Sequence, residues 1–266
     1  MVLVADAYHG DSISSFEKMA EAGIVGLVHK ATQGVSGRDS RYVGRKPLAL
    51  DAGLLWGAYH FNTRTSGVDQ AEWFLDVVQP EPQTLLAFDW ENNDVTHRPA
   101  ATLQQAVDFA LTVHAETGRW PVIYSANVAR ELVREWHPVL SQCPYWPAHV
   151  GVSKPRLAGG WPTWQLWQFS WTYRIAGCGP VDMNYFNGTE EELRAWWLGG
   201  STMADGKVVL PDGMTTVDYA LVEGRVYVSA RDFLDTLRAA GLTQVGVREP
   251  PHLEEHRLYT EIKRPG

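Results

Sequence analysis

The segment from Leu85 to Asp94 reads LLAFDWENND, and it joins a short apolar run directly to a group of acidic and amide residues. Side chains alternate along a β-strand, so Asp89 and Glu91 point to one side and Trp90 points to the other. Two carboxylates that faced a packed interior would each carry a large desolvation cost unless each found a partner. The segment therefore predicts a buried strand that ends at an open edge, with Asp89 and Glu91 at its mouth.

The first 200 residues alternate short apolar runs with longer amphipathic ones. This alternation predicts parallel βαβ units, and about eight strands in under about 200 residues favours a closed barrel over an open sheet. The last connections are too short for full helices, so we expect an α/β fold, an irregular TIM-like β/α barrel whose final third is mostly strand. The predicted strands are 2–5, 24–30, 54–61, 84–89, 121–125, 145–150, 163–169 and a short one around Val181, and the predicted helices are 12–22, 42–52, 68–78, 99–117 and 126–135.

Polar residues follow most of these strands, and a parallel barrel carries its function at the C-terminal ends of its strands. Taken singly, each such residue could cap a turn or join a structural ion pair. Four carboxylates on one rim cannot all ionise at neutral pH, so at least one should hold its proton. A protonated acid beside ionised ones is the arrangement that glycoside hydrolysis requires. The polar residues at these strand ends are Asp6, His29, Lys30, Tyr59, His60, Asp89, Glu91, Tyr124, Ser125, Gln168 and Asp182.

Charge and composition exclude several other classes of function. The formal net charge is -8 and no basic cluster is present, so neither nucleic acid nor an anionic membrane surface is an expected partner. No apolar run approaches the roughly 20 residues that cross a bilayer, and the N-terminus MVLVADAYHG lacks the features of a secretory signal. Cys143 and Cys178 are predicted to be reduced structural thiols. The sequence HLEEH at 252–256 matches a zinc-binding pattern, but it lies in a Pro-rich charged tail, so we expect no metal and no cofactor.

Nine motifs occur in order along about three quarters of the chain. They are VADAYHG (4–10), HKATQG (29–34), GAYHF (57–61), QAEWFL (70–75), FDWE (88–91), PVIYS (121–125), YWPAHV (145–150), WQLWQF (164–169) and GPVDMNYF (179–186). With these motifs the chain resembles the glycoside hydrolase family 25 lysozymes, the N-acetylmuramidases of bacteria, phages and some fungi. It departs from the family pattern at Ala7, Tyr8 and His9, and at Gln33, where the family frequently has Glu.

The resemblance implies an enzyme that cleaves the β-1,4 bond between N-acetylmuramic acid and N-acetylglucosamine in bacterial peptidoglycan. It implies that Glu91 is the general acid and that Asp89 stabilises the intermediate or orients the N-acetyl group of the substrate. Whether the bond configuration is retained or inverted stays open, although attack by the acetamido oxygen is favoured. Further residues that the resemblance or the strand ends place at the substrate are Asp6, Asp182, Tyr59, His60, Lys30, Tyr124 and Gln168. Most of the tryptophans are expected to fill the core, and Trp146 or Trp167 is a candidate for lining the sugar groove.

The alternation ends near residue 200, and residues 201–266 are expected to form a small α+β module of two or three strands and one helix over 230–240. We interpret the whole as a phage endolysin that stays in the host cytoplasm before its release to the cell wall. The module would bind the wall or form an oligomer. Two alternatives remain: a catalytically silent glycan-binding barrel or virion component, and a hydrolase of another N-acetylhexosamine polymer such as chitin.

Overall fold

A computed structural model describes residues 1–93 and 96–198 in full, and the backbone of 205–209, 216–222 and 225–227. The chain divides into two compact units, Met1–Gly200 and Ser201–Gly266. The second unit contains an antiparallel sheet of β10 (Asp205–Val209), β11 (Thr216–Val222) and β12 (Arg225–Tyr227). The predicted helix over 230–240 and the HLEEH segment lie outside the described residues.

The first unit is built around one sheet that curls into a barrel, which confirms the predicted fold class. Its strands run in the spatial order β7, β6, β5, β4, β2, β1, β9 and β8, and a bridge between Ala148 and Gln168 connects the two ends. All these strands are parallel except β9, which pairs antiparallel with both β1 and β8. The strands are β1 (Val2–Ala7), β2 (Ile24–Gln33), a short β3 (Gly37–Arg38) paired with β2, β4 (Leu55–Phe61), β5 (Leu85–Asp89), β6 (Val122–Ser125), β7 (Tyr145–Pro147), β8 (Leu166–Tyr173) and β9 (Val181–Phe186).

Helices follow most of the strands, and all but the last pack on the outside of the sheet. They are α1 (Phe16–Glu21), α2 (Tyr42–Asp51), α3 (Gly67–Val78), α4 (Leu103–Thr117), α5 (Val128–Leu132) and α6 (Glu190–Trp197), with a 3-10 turn at Leu140–Gln142. The first helix is shorter than predicted because Ser15 caps it, its hydroxyl accepting a hydrogen bond from the Lys18 N–H. No helix in the part of the chain that the structure describes is both long and apolar enough to cross a bilayer.

Helix α6 was not predicted from the sequence. It begins with a capping box, in which Thr189 and Glu192 bond to each other's backbone N–H. Its last residue, Trp197, is fully buried and donates its indole N–H to the Trp56 carbonyl oxygen at 2.9 Å. The ring reaches to 2.9 Å of where a Cβ of Gly26 would lie and to 3.2 Å of one at Gly57, so glycine at both positions makes room for it. Trp197 therefore packs against the inner wall of the barrel, near the first residues of the strands.

The alternation of side chains divides the interior into two regions. The barrel lumen is lined by apolar residues such as Val4, Val28 and Leu166. The layer between sheet and helices is filled by a larger apolar cluster that includes Phe74, Phe88 and Phe109. We call the C-terminal end of the lumen, where the polar residues gather, the barrel mouth.

Candidate active site

Strand pairing brings the predicted residues together around the barrel mouth. Asp6 of β1 lies opposite Asp182 of β9, Lys30 of β2 lies opposite Tyr59 of β4, and Asp89 of β5 lies opposite Tyr124 of β6. Directly paired residues of neighbouring strands share a face of the sheet. The carboxyl groups of three strands thus converge on one rim, with Glu91 two residues beyond the end of β5.

Gln168 links the carboxyl groups of β1 and β9. Its Nε2 donates to both carboxyl oxygens of Asp6, at 3.3 and 3.1 Å, and to Oδ2 of Asp182 at 3.2 Å. Its Oε1 accepts a hydrogen bond from the Tyr124 hydroxyl at 2.9 Å. A side-chain amide carries two N–H donors and a carbonyl acceptor. Gln168, which is buried, can therefore bond to two carboxyl groups and one phenol at the same time.

Asn184 of β9 also bonds to Asp6, from the side of the lumen. Its Nδ2 donates to Oδ2 of Asp6 at 2.8 Å and to the Val4 carbonyl at 2.9 Å, and its Oδ1 accepts the Trp146 indole N–H at 2.7 Å. Sequence reasoning missed Asn184, although it lies two residues after Asp182 and therefore on the same face of β9. Trp146 was predicted to contact substrate. It is 2% exposed and lies beneath the carboxyl groups, where it orients Asn184.

The turn from Asp89 to Glu91 is held by backbone hydrogen bonds from buried side chains. Nδ2 of Asn62 donates to the carbonyl oxygens of Asp89 and Glu91, at 2.9 and 2.7 Å, and the Ser125 hydroxyl donates to the Trp90 carbonyl at 2.8 Å. Trp90 points away from the mouth, as predicted, and is fully buried. Asp89 is nearly buried and Glu91 is half-buried. Asn62 was not predicted, because it acts through the backbone of a segment distant in sequence.

Burial gives the acids of the mouth unusual protonation. Burial, reinforced by the charge of Glu91, raises the pKa of Asp89 well above its usual range. Burial and then the charge of Asp6 raise the pKa of Asp182 to about 9. Burial raises the pKa of Asp6 to about 6, although the hydrogen bonds from Asn184 and Gln168 oppose that rise. The mouth therefore holds carboxyl groups that keep protons near neutral pH.

Lys30 supplies positive charge beside these acids, and burial lowers its pKa. Its charge opposes the rise in the pKa of Asp89. Nζ lies 4.6 Å from the centroid of the Phe61 ring and donates to Oε1 of Gln33 at 2.8 Å. Because Gln33 is a neutral acceptor, it positions the ammonium group without neutralising it.

Tyr59 and Tyr124 keep their hydroxyl protons in this setting. Burial, followed by the negative charges of the surrounding acids, raises the pKa of both phenols well above the usual value. Both hydroxyls can therefore donate hydrogen bonds near neutral pH.

His60 was predicted to lie at the substrate, but the structure does not bring its side chain to the mouth. It neighbours Tyr59 on β4, so its side chain points to the other side of the sheet, where it is fully buried. Its ring stacks on Phe88 with centroids 6.1 Å apart. Within the described part of the chain, no group of three or more His, Cys, Asp or Glu side chains is arranged to hold a metal ion.

Comparison with known proteins agrees with this geometry. Residues 5–178 match the family described as Glycosyl hydrolases family 25. The chain is 30% identical over 212 residues to Lysozyme M1 of Streptomyces globisporus, covering 71% of this chain and 69% of that protein. It matches the bacterial lysozyme of Streptomyces coelicolor with a TM-score of 0.68 and 32% identity, over 75% of this chain and 98% of the other. The muramidase of Acremonium alcalophilum matches with a TM-score of 0.66 and 28% identity, over 75% and 100% of the two chains. The chain therefore belongs to glycosyl hydrolase family 25 and is a glycoside hydrolase of the muramidase type.

Proposed function

We propose that the chain hydrolyses the β-1,4 bond between N-acetylmuramic acid and N-acetylglucosamine in bacterial peptidoglycan, with Glu91 as the general acid. The observation that carries this proposal is the environment of Asp89, two residues before Glu91. Oδ1 of Asp89 is a buried oxygen without a hydrogen-bond partner among the described residues, and it belongs to a carboxyl group whose pKa burial raises. An acceptor kept buried without a donor is available to a donor on the substrate.

The 2-acetamido group of an N-acetylated sugar carries such a donor. If its N–H donates to Asp89, its carbonyl oxygen turns towards the anomeric carbon. Glu91 gives its proton to the glycosidic oxygen, the bond from the anomeric carbon to that oxygen breaks, and the acetamido oxygen bonds to the anomeric carbon. Water then opens the resulting ring and returns a proton to Glu91. Asp6 and Asp182 would line the side of the substrate pocket opposite Asp89 and Glu91. The Tyr59 hydroxyl would donate a hydrogen bond to the reacting sugar.

The test is digestion of purified peptidoglycan by the wild type and by Glu91→Gln, with borohydride reduction of the new ends and mass spectrometry of the fragments. Glutamine keeps the shape of the side chain and removes the proton, so we expect turnover to fall by about 100- to 10,000-fold. Glu116→Gln, at an exposed position on α4, is the control and should retain full activity.

The identity of the new ends separates the candidate functions. Muramitol ends from the wild type alone support a muramidase that acts through Glu91. Glucosaminitol ends would mean that the other glycosidic bond is cut. Activity on chitin but not on peptidoglycan would favour another N-acetylhexosamine polymer, and no new ends from any protein would favour a silent binding barrel.

We further propose that the enzyme is a phage endolysin, held in the host cytoplasm until lysis, and that residues 201–266 bind the cell wall or form an oligomer. The division of the chain into two compact units supports a separate task for the second one. Deletion of 201–266 should spare hydrolysis of soluble fragments and reduce sedimentation with whole walls. Coexpression with a membrane-permeabilising protein should lyse a sensitive host, and expression of the enzyme alone should not. Wall binding and an oligomeric state that both stay unchanged after the deletion would exclude both roles of the module.

A further inference from the structure

Trp171 differs from most tryptophans of the chain because its side chain is exposed. It is 58% exposed, whereas Trp167 on the same strand, β8, is 5% exposed and Trp146 on β7 is 2% exposed. A single exposed aromatic residue is common and needs no explanation by itself. The position of Trp171 and the contact of its indole N–H distinguish it.

An irregularity in β8 places Trp171 beside the carboxyl groups. Ser170 pairs with Met183 and Tyr173 pairs with Val181, so Trp171 and Thr172 together lie across from the single residue Asp182. The Ser170 hydroxyl accepts a hydrogen bond from the Thr172 N–H at 3.3 Å, which supports this local conformation. Bulges of this kind redirect a side chain and are common next to active sites.

The indole of Trp171 is tied to the buried network of the mouth. Its Nε1 donates to Oε1 of Gln168 at 3.0 Å, and the amide nitrogen of Gln168 donates to Asp6 and Asp182. The polar edge of the indole is thus occupied from inside, and the exposed part of the residue is largely ring carbon. Among the described residues, no other aromatic ring packs on it. The result is an apolar ring that is fixed in place at the rim and left uncovered.

We propose that Trp171 is a sugar-binding platform, on which a pyranose ring of the glycan strand stacks next to the carboxyl groups. This inference rests on the proposed function and adds a determinant of substrate binding to it. One face of a pyranose presents mainly C–H groups, which suit an aromatic plane, while its hydroxyl groups stay in water. A platform fixed by a hydrogen bond loses little side-chain freedom when the sugar binds.

The test measures binding by titration calorimetry in the full chain carrying Glu91→Gln, which leaves the ligand intact. The ligand is a soluble tetrasaccharide of alternating N-acetylglucosamine and N-acetylmuramic acid. Adding Trp171→Ala should weaken binding by about tenfold, and Trp171→Phe, which keeps an aromatic face, should stay within about threefold. Trp136→Ala, which removes a tryptophan that is 56% exposed on the segment after α5, is the matched control and should bind as the parent does.

A second substitution separates stacking from support of Gln168. Trp171→Gln can keep a hydrogen bond to Gln168 but has no ring, so it should bind as weakly as Trp171→Ala. Equal weakening by Trp171→Phe and Trp171→Ala would assign the effect to the lost N–H and overturn the platform. Parent-like binding by Trp171→Ala would overturn it as well. Neither result would alter the muramitol ends of the wild type, so failure of this inference is distinct from failure of the proposed function.

Discussion

Tyr59 and His60 are adjacent on β4, yet their side chains enter two different interiors. His60 lies in the sheet–helix layer, where Nδ1 bonds to the Thr32 hydroxyl at 2.8 Å and Nε2 bonds to Oε1 of Gln70 at 3.2 Å. Tyr59 faces the barrel mouth, near Asp89, whose Oδ1 has no partner among the described residues. Burial alone therefore does not separate structural polar groups from functional ones in this protein, because both regions are buried.

Burial favours the neutral form of titratable groups in both regions, but only the mouth needs charged groups for its chemistry. In the layer, burial lowers the pKa of His60 to about 3 and that of His29 to about 4, so both rings stay neutral near pH 7. His29 fits that state, since Nδ1 donates to the Lys30 carbonyl and Nε2 accepts from the Arg45 guanidinium. In the mouth, burial raises the pKa of the acids and opposes the charges that catalysis would use. The layer stabilises the fold, whereas the mouth costs stability.

Asp89→Asn tests the contrast between the sheet–helix layer and the barrel mouth, and of the variants that test it we expect this one to have the largest effect on turnover. We expect turnover to fall by about 100- to 1000-fold, because Asp89 can lose its proton and stabilise the developing cation, whereas an amide cannot ionise. The same change should raise the melting temperature at pH 7, because folding no longer has to desolvate or protonate that carboxyl group. Activity assays and calorimetric melting of the same preparations measure both quantities.

Asp76→Asn is the control for this substitution, because Asp76 is exposed on α3. It should change neither turnover nor melting temperature. A drop in melting temperature for Asp89→Asn would contradict the view that the mouth is a source of strain, even if activity were lost.

Much of the fold and part of the site were predictable because both depend on the regular spacing of apolar and polar residues along strands and helices. The barrel follows from strands alternating with helices, and Asp6, Asp89 and Asp182 follow from polar residues at strand ends. The same two-residue period that relates Asp89 to Glu91 also relates Asp182 to Asn184, and it separates His60 from Tyr59. Sequence reasoning did not apply the period in these last two cases.

Other features have no local signal in the sequence. Trp171 reaches the mouth through an irregularity in the pairing of β8 with β9, which depends on both strands and cannot be derived from one of them. Asn62 acts on carbonyl groups about 30 residues away in sequence. Helix α6 has a capping box at Thr189 and Glu192, but it is only eight residues long and lies where a strand-rich end was expected.

The smallest expected effect is an opposite pH dependence of stability in the two regions. Burial raises the pKa of Asp182 from 3.8 to about 9 on folding, so its cost to stability grows as pH rises from about 4 to about 9. Asp182→Asn should therefore match the wild type in melting temperature near pH 4 and exceed it by a few degrees at pH 8. Each kcal/mol in the free energy of unfolding corresponds to roughly 2–4 °C in a chain of this size.

His60→Leu should behave in the opposite sense. Burial lowers the pKa of His60 from 6.5 to about 3 on folding, so the contribution of the wild-type histidine is complete above pH 6.5 and is lost as pH falls. The leucine variant leaves Thr32 and Gln70 without their partner, which costs about 1–3 kcal/mol for each unsatisfied group. Its deficit in melting temperature should be largest at pH 7 and smaller at pH 4, while turnover per folded molecule stays unchanged. A deficit that does not change with pH would contradict the lowered pKa of His60. A loss of turnover in the folded variant would mean that His60 is coupled to the mouth and that the two interiors are not independent.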